Sequence, residues 1–188
     1  MGNEWFTPKK YIDAAREVMG SIDLDPASCI QANQVVKAGC WYGLQENGLE
    51  QSWFGNVWLN PPYGRINPEK TGQTISYQLL FGQKALREYQ AGRIEQAVLL
   101  LLGNACFMKW FQPFWQYPLC FHSGRVGFGT PDGSIDHFGF GTTFVYLGPH
   151  EQKFIDVFSK FGRIVKAIDT PQSNHVIPAS LWDSEVSA

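Results

Sequence analysis

Apolar residues along the 188-residue chain change their spacing several times, and each change marks an element. Ile12, Ala15 and Met19 recur at helical spacing within residues 9–19, with Thr7 placed as an N-cap and Pro8 suited to the first helical position. Ile22 and Leu24 support a short strand that Pro26 stops. Ser28 then opens a helix over residues 29–37, with Gln31 at capping-box spacing. Residues 38–42 read as a second short strand and 44–53 as a polar loop. Val57, Trp58 and Leu59 form an apolar run that Asn60-Pro61-Pro62-Tyr63-Gly64 ends abruptly. The polar stretch 64–76 predicts a flexible loop, and 77–90 predicts a helix with Leu80 and Leu86 or Tyr89 near its buried side. Residues 97–102 (AVLLLL) are the clearest buried parallel strand. The aromatic stretch 104–115, broken by Pro113, predicts a short helix packed on the sheet. Strand-like pieces at 119–122 and 126–128 surround Ser123-Gly124-Arg125, and a glycine-rich loop covers 130–141. Residues 142–147 form a strand, Phe154, Ile155, Phe158 and Phe161 share a helix face over 153–161, and 163–168 can add a last strand.

Strands that alternate with helices until late in the chain predict a three-layer α/β sandwich with a mostly parallel sheet. The expected division is one domain over residues 1–168 and a tail over 169–188. The short stretch between the first strand and Asn60 predicts a trimmed sheet lacking some crossover elements. Aromatics make up 15% of the chain, including 7 Trp and 14 Phe, more than a minimal core requires. Some are thereby available for stacking on bases, although core packing is the favoured reading for 104–115. The net charge of −2 gives the whole chain no attraction to polyanions, so any nucleic-acid contact must come from a local patch. Cys29, Cys40, Cys106 and Cys120 show neither zinc-site pairing nor a disulfide framework and are expected to be reduced. No signal peptide or membrane-length apolar run is visible, which predicts a soluble cytosolic protein.

The chemistry concentrates at Asn60–Tyr63. Two prolines cannot donate to a sheet ladder, so this turn lies just beyond a buried strand. There the Pro61 carbonyl lacks a ladder partner and can face a ligand. An amide acceptor, a stiff kinked carbonyl and an aromatic ring then stand side by side, a set suited to an exocyclic amine. Adenine N6 is a poor nucleophile because its lone pair is delocalised into the ring. Two acceptors on its hydrogens would help localise that lone pair. A turn that merely caps an apolar strand is the competing reading. The stretch NVWLNPPYG resembles the catalytic motif of amino-methyltransferases. The wider sequence resembles the phage- and prophage-type, Dam-like DNA N6-adenine methyltransferases.

That resemblance implies a Rossmann-like fold with a late antiparallel strand, S-adenosylmethionine as methyl donor, and adenine N6 in double-stranded DNA as acceptor. It implies a catalytic set of Asn60, Pro61, Pro62 and Tyr63, the first two accepting the N6 hydrogens and Tyr63 stacking on the base. The segment with Thr7 and Pro8 would hold the methionine end of the cofactor. Strand, acidic turn and helix start at residues 21–28 read as the cofactor corner of a nucleotide-binding sheet, and resemble the family's acidic residue followed by Pro26-Ala27. Asp23 and Asp25 are both candidate cofactor residues: Asp25 would pair with the cofactor ammonium provided that it, rather than Asp23, faces the site, and Asp23, inside the strand, needs some partner. No glycine lies between Gly20 and Gly39, so the Gly-x-Gly contacts of commoner methyltransferases do not transfer. Glu46, Asn47 and Leu49 resemble the segment that binds the cofactor adenine, and Asn60 borders the same site.

Arg65 and Lys70, on the loop after the turn, and Arg125 are candidate DNA contacts. Phe128, between Gly127 and Gly129, is the candidate second aromatic for an extruded base, with a plain core position as its alternative. Neither a metal nor a covalent nucleophile is required. The expected setting is the cytoplasm of a bacterial or phage-infected cell, with no membrane partner and a monomer or homodimer. The rivals are the same turn acting on RNA or a protein glutamine, and a non-catalytic module that binds the cofactor or nucleic acid.

Overall fold

The computed structural model describes residues 5–67, 74–130, 133–137 and 139–168. Helix α1 (Lys9–Met19) buries Tyr11, Ile12, Ala14, Ala15, Val18 and Met19 on one face. Strand β1 (Leu24–Asp25) leads to helix α2 (Ile30–Val36) and strand β2 (Cys40–Trp41). The cap of α2 is Cys29, whose Sγ accepts from Ala32 N at 3.4 Å, so the expected Ser28 capping box does not form. Strand β3 (Asn56–Leu59) runs into the Asn-Pro-Pro-Tyr turn. The expected loop at 64–76 contains a hairpin of β4 (Arg65–Ile66) and β5 (Ile75–Ser76). Helix α3 (Tyr77–Gln90), capped by the Ser76 hydroxyl, precedes strand β6 (Gln96–Leu102).

The aromatic segment then forms two 3₁₀ helices, Gly103–Phe107 and Lys109–Gln116, instead of one α-helix. Pro113 supplies no backbone donor there, which disfavours a continuous α-helical ladder. Strands β7 (Leu119–His122), β8 (Gly127–Gly129), β9 (Ile135–His137) and β10 (Thr142–Leu147) follow, then helix α4 (Glu151–Phe158) and strand β11 (Gly162–Val165). Part of the expected glycine-rich loop is thus β9, which pairs antiparallel with β8. The expected tail at 169–188 lies outside the described residues.

The central sheet is ordered β11-β7-β10-β6-β3-β1-β2. Strands β2, β1, β3 and β6 are mutually parallel, and β7 runs their way because β10 is antiparallel to both β6 and β7. The edge strand β11 is also reversed, so two late strands are antiparallel to the rest. The β2–β3 connection contains no helix. Side chains alternate across the sheet with the period of two that pleating imposes. Trp58, Val98, Leu100, Phe144 and Tyr146 face the layer of α1, α2 and α4. Val57, Leu59, Leu99, Leu101 and Val145 face α3 and the two 3₁₀ helices, where Trp110, Phe111 and Phe114 are buried. Each such large apolar side chain stabilises the fold by roughly 1.5–3 kcal/mol. The sheet order reverses between β1 and β3: the chain goes outward from β1 to β2, then returns to β3 on the other side. Open α/β sheets bind ligands at the carboxyl ends of strands at such a switch point.

Candidate active site

The switch point brings together the carboxyl ends of β1 and β3, which carry Asp25 and the Asn60 turn. A cavity opens there, and Thr7, Asp25, Ala27 and Asn60 all line it. Three segments separated in sequence thus supply one site. Within the turn, Pro61 is buried, Pro62 is exposed, and Asn60 and Tyr63 are half-buried.

The Asn60 side chain is held at both ends. Its Nδ2 donates to Thr7 Oγ1 at 3.2 Å and to the Trp5 carbonyl at 3.4 Å. Its Oδ1 accepts from the Tyr63 hydroxyl at 2.8 Å. The Tyr63 ring meets the Phe128 ring edge-on, with centroids 6.0 Å apart. Burial pushes the Tyr63 phenol well above its ordinary pKa, so at neutral pH it is a hydrogen-bond donor and not a base.

Asp25 is buried, and its carboxylate has little to support it. Ala27 N donates to Oδ1 at 3.3 Å, and the neighbouring Ser28 hydroxyl also favours the charged form. Among the described residues no Lys, Arg or His forms an ion pair with it. Burial outweighs those two contacts and pushes the Asp25 carboxyl up to about 7. A buried acid without a cation is what a site for a positively charged ligand would leave behind.

Asp23 is not brought to this cavity. It precedes β1, where its Oδ2 accepts from Asn56 N at 2.8 Å and its own N–H donates to the Asn56 carbonyl at 2.8 Å. Gly55 has φ +59°, and a Cβ there would lie 2.5 Å from Asp23 Oδ2. Asp23 therefore laces β1 to the start of β3, which supplies the partner that its position demanded.

The segment of Glu46, Asn47 and Leu49 stands beside the acidic turn without lining the cavity. A Cβ at Gly48 would lie 1.9 Å from the Pro26 carbonyl, so loop and turn are in direct contact there. Glu46 Oε2 accepts from Gly43 N at 2.9 Å, Asn47 Nδ2 donates to Glu50 Oε1 at 2.8 Å, and Leu49 packs with the α3-side core. Pro26 is buried and Pro8 half-buried just before α1; neither lines the cavity.

Phe128 does not offer the open face expected of a base platform. It is 0% exposed, and the rings of Trp5 and Tyr63 both approach it edge-on. Its flanking glycines make room for protein, not for a base. A Cβ at Gly127 would meet Ile135 Cγ2 at 2.8 Å, and one at Gly129 would sit 3.6 Å from Phe6 Cβ. Arg65 is exposed on the hairpin just after the turn, where its guanidinium bonds Thr74 Oγ1 and the Thr74 carbonyl, each at 2.6 Å. Arg125 is exposed between β7 and β8, and Lys70 lies outside the described residues.

Sequence reasoning missed Trp5, Phe6 and Trp58, and also Val35 and Val36 on the last turn of α2, all of which line the cavity. The adjacent apolar pair on α2 was the available signal; the Trp5 carbonyl, a backbone group, left none. Among the described residues, no helix is long and apolar enough to cross a membrane. None of them forms a cluster of three or more His, Cys, Asp or Glu able to hold a metal ion.

No curated protein and no solved structure matches the chain. A family model described as DNA N-6-adenine-methyltransferase (Dam) matches residues 1–134. That span takes in the Thr7 segment, the Asp25 turn, the Asn60–Tyr63 turn and Phe128, and so every element of the cavity. With most of its length matched, this chain belongs to the DNA N-6-adenine-methyltransferase (Dam) family.

Proposed function

We propose that this protein transfers a methyl group from S-adenosylmethionine to N6 of adenine in double-stranded DNA, on a Rossmann-like catalytic domain spanning residues 1–168. The observation that carries the reading is the placement of a buried, cation-less Asp25 and a tethered Asn60 at one cavity of the switch point. The residues present fit the donor. Asp25 would take its ammonium group, and Ala27 with the apolar wall of Val35, Val36 and Trp58 would border the rest. When bound, that molecule supplies an electrophilic methyl on a positively charged sulfur.

The chain's own part is orientation. Adenine in a duplex must leave the stack to reach the turn. The Asn60 Oδ1 has two lone pairs, and the Tyr63 hydroxyl engages one, leaving the other for an N6 hydrogen. The Pro61 carbonyl would take the second N6 hydrogen. With both hydrogens held, the nitrogen lone pair is directed at the methyl carbon, and one N6 proton is lost to water after transfer.

The test is methyl transfer from labelled S-adenosylmethionine to unmethylated plasmid DNA, with RNA and protein substrates run beside it. N6-methyladenine in digested DNA is the expected product. Label appearing in RNA or protein and not in DNA would overturn the substrate assignment.

A further inference from the structure

Thr7 is a buried polar residue, only 8% exposed, beside the start of α1. The sequence places it as the helix cap, yet the cap position is Pro8 and no side chain caps the helix. A hydroxyl withheld from water needs a hydrogen-bond partner. The partner is Asn60, distant in sequence, whose Nδ2 donates to Thr7 Oγ1 at 3.2 Å.

The second contact on that nitrogen fixes the direction of the amide. A backbone carbonyl can only accept, so the end of Asn60 facing Trp5 O must be the NH₂. Its two hydrogens then go to Trp5 O and Thr7 Oγ1, and Oδ1 is turned toward the Tyr63 hydroxyl. The frame that holds Thr7 is itself anchored. Phe6 bridges Gly129 through paired backbone bonds, Phe6 N to Gly129 O at 2.8 Å and Gly129 N to Phe6 O at 2.9 Å. The two ends of an asparagine amide have nearly the same shape. A flipped Asn60 would meet the amine of adenine donor to donor.

We propose that Thr7 is a positioning residue, whose hydroxyl takes one Nδ2 hydrogen and so holds the Asn60 amide, in the direction that the Trp5 carbonyl sets, with Oδ1 toward the incoming amine. The inference rests on Asn60 being the acceptor for N6. It assigns Thr7 a role in the methyl-transfer step rather than in holding the donor.

Thr7→Val keeps the shape and removes the acceptor; Thr7→Ser keeps the hydroxyl. The kcat for plasmid methylation should fall about tenfold in Thr7→Val, an effect comparable to losing one hydrogen bond. Thr7→Ser should recover most of that loss. Calorimetry should give both variants an S-adenosylmethionine affinity within about twofold of wild type, since the lost contact is to Asn60. The decisive measurement is a double-mutant cycle: Thr7→Val introduced into Asn60→Ala should cost nothing further, because no amide remains to orient. An unimpaired Thr7→Val, or an equal loss in both backgrounds, would overturn the inference. So would a weakened cofactor affinity in place of a reduced kcat, which would make Thr7 a donor contact. A fully active Asn60→Ala would overturn it too, and would mark the reading of the turn itself as the failure.

Discussion

Asp23, just before β1, and Asp25, at its carboxyl end, serve opposite purposes. At the amino end, Asp23 spends its carboxylate on the backbone N–H of Asn56 and so joins β1 to β3. At the carboxyl end, Asp25 is buried deeper, and burial pushes its carboxyl up to about 7. The difference follows from topology. At the amino end Asp23 lies beside Asn56, the first residue of β3, and its carboxylate takes that residue's backbone N–H. At the carboxyl end the sheet order reverses, and Asp25 lines the cavity, with Ala27 N as its backbone donor at 3.3 Å. A polar group left there is available to a ligand, whereas one at the other end belongs to the fold.

Three changes would break or sharpen this contrast. The largest effect is expected beyond the carboxyl end of β3. Asn60→Ala removes a preorganised acceptor and should slow methylation by a factor of about a hundred or more, with cofactor affinity little changed. Rates from labelled methyl transfer would check it, and a wild-type rate would detach the turn from the chemistry. Next comes the amino end. Asp23→Ala orphans the N–H of buried Asn56, which should cost roughly 1–3 kcal/mol of stability in denaturant unfolding. Its cofactor affinity, measured in buffer where the variant is folded, should match wild type. A loss of affinity without a loss of stability would reverse the roles of the two acids.

Local pattern made much of the frame legible. The spacing of Ile12, Ala15 and Met19 marks the buried face of α1, and the unbroken run before Gly103 marks β6, buried along its whole length. The two prolines place the turn just past β3, and the aromatics around Trp110 proved to be core. What sequence left open are contacts across the chain. Thr7 looks like a cap because caps are local, whereas its actual partner lies 53 residues away. Gly127-Phe128-Gly129 reads the same whether the glycines admit a base or the β9 strand, and only tertiary pairing decides. The same limit hid the choice between the two aspartates. Both are acids two residues apart about one short strand, and period alone cannot say which end of the strand lies at a switch point.

The smallest predicted effect is also the most specific to Asp25. Its folded pKa, about 7, stands above the ordinary carboxylate value of 3.8, so between the two the cofactor-free protein holds a proton there that the unfolded chain would release. The sign follows from linkage: this proton's contribution to stability is full below about pH 4 and is lost as pH rises through 7. Asp25→Asn, which never ionises, should therefore raise the thermal midpoint of the cofactor-free protein at pH 8 and have little effect near pH 4. On the proposed reading binding would run the other way, because the donor's ammonium would need the ionised carboxylate. Affinity for S-adenosylmethionine should be level above pH 7 and about tenfold weaker at pH 6, on the arithmetic of one proton displaced per ligand bound. In Asp25→Asn it should be weaker throughout and nearly independent of pH across that range. Calorimetric titration from pH 6 to 8 would read both curves. A wild-type affinity flat with pH, or an Asp25→Asn variant that binds as tightly as wild type at pH 8, would move the ammonium site away from Asp25 and leave the buried acid without a purpose at the carboxyl end of β1.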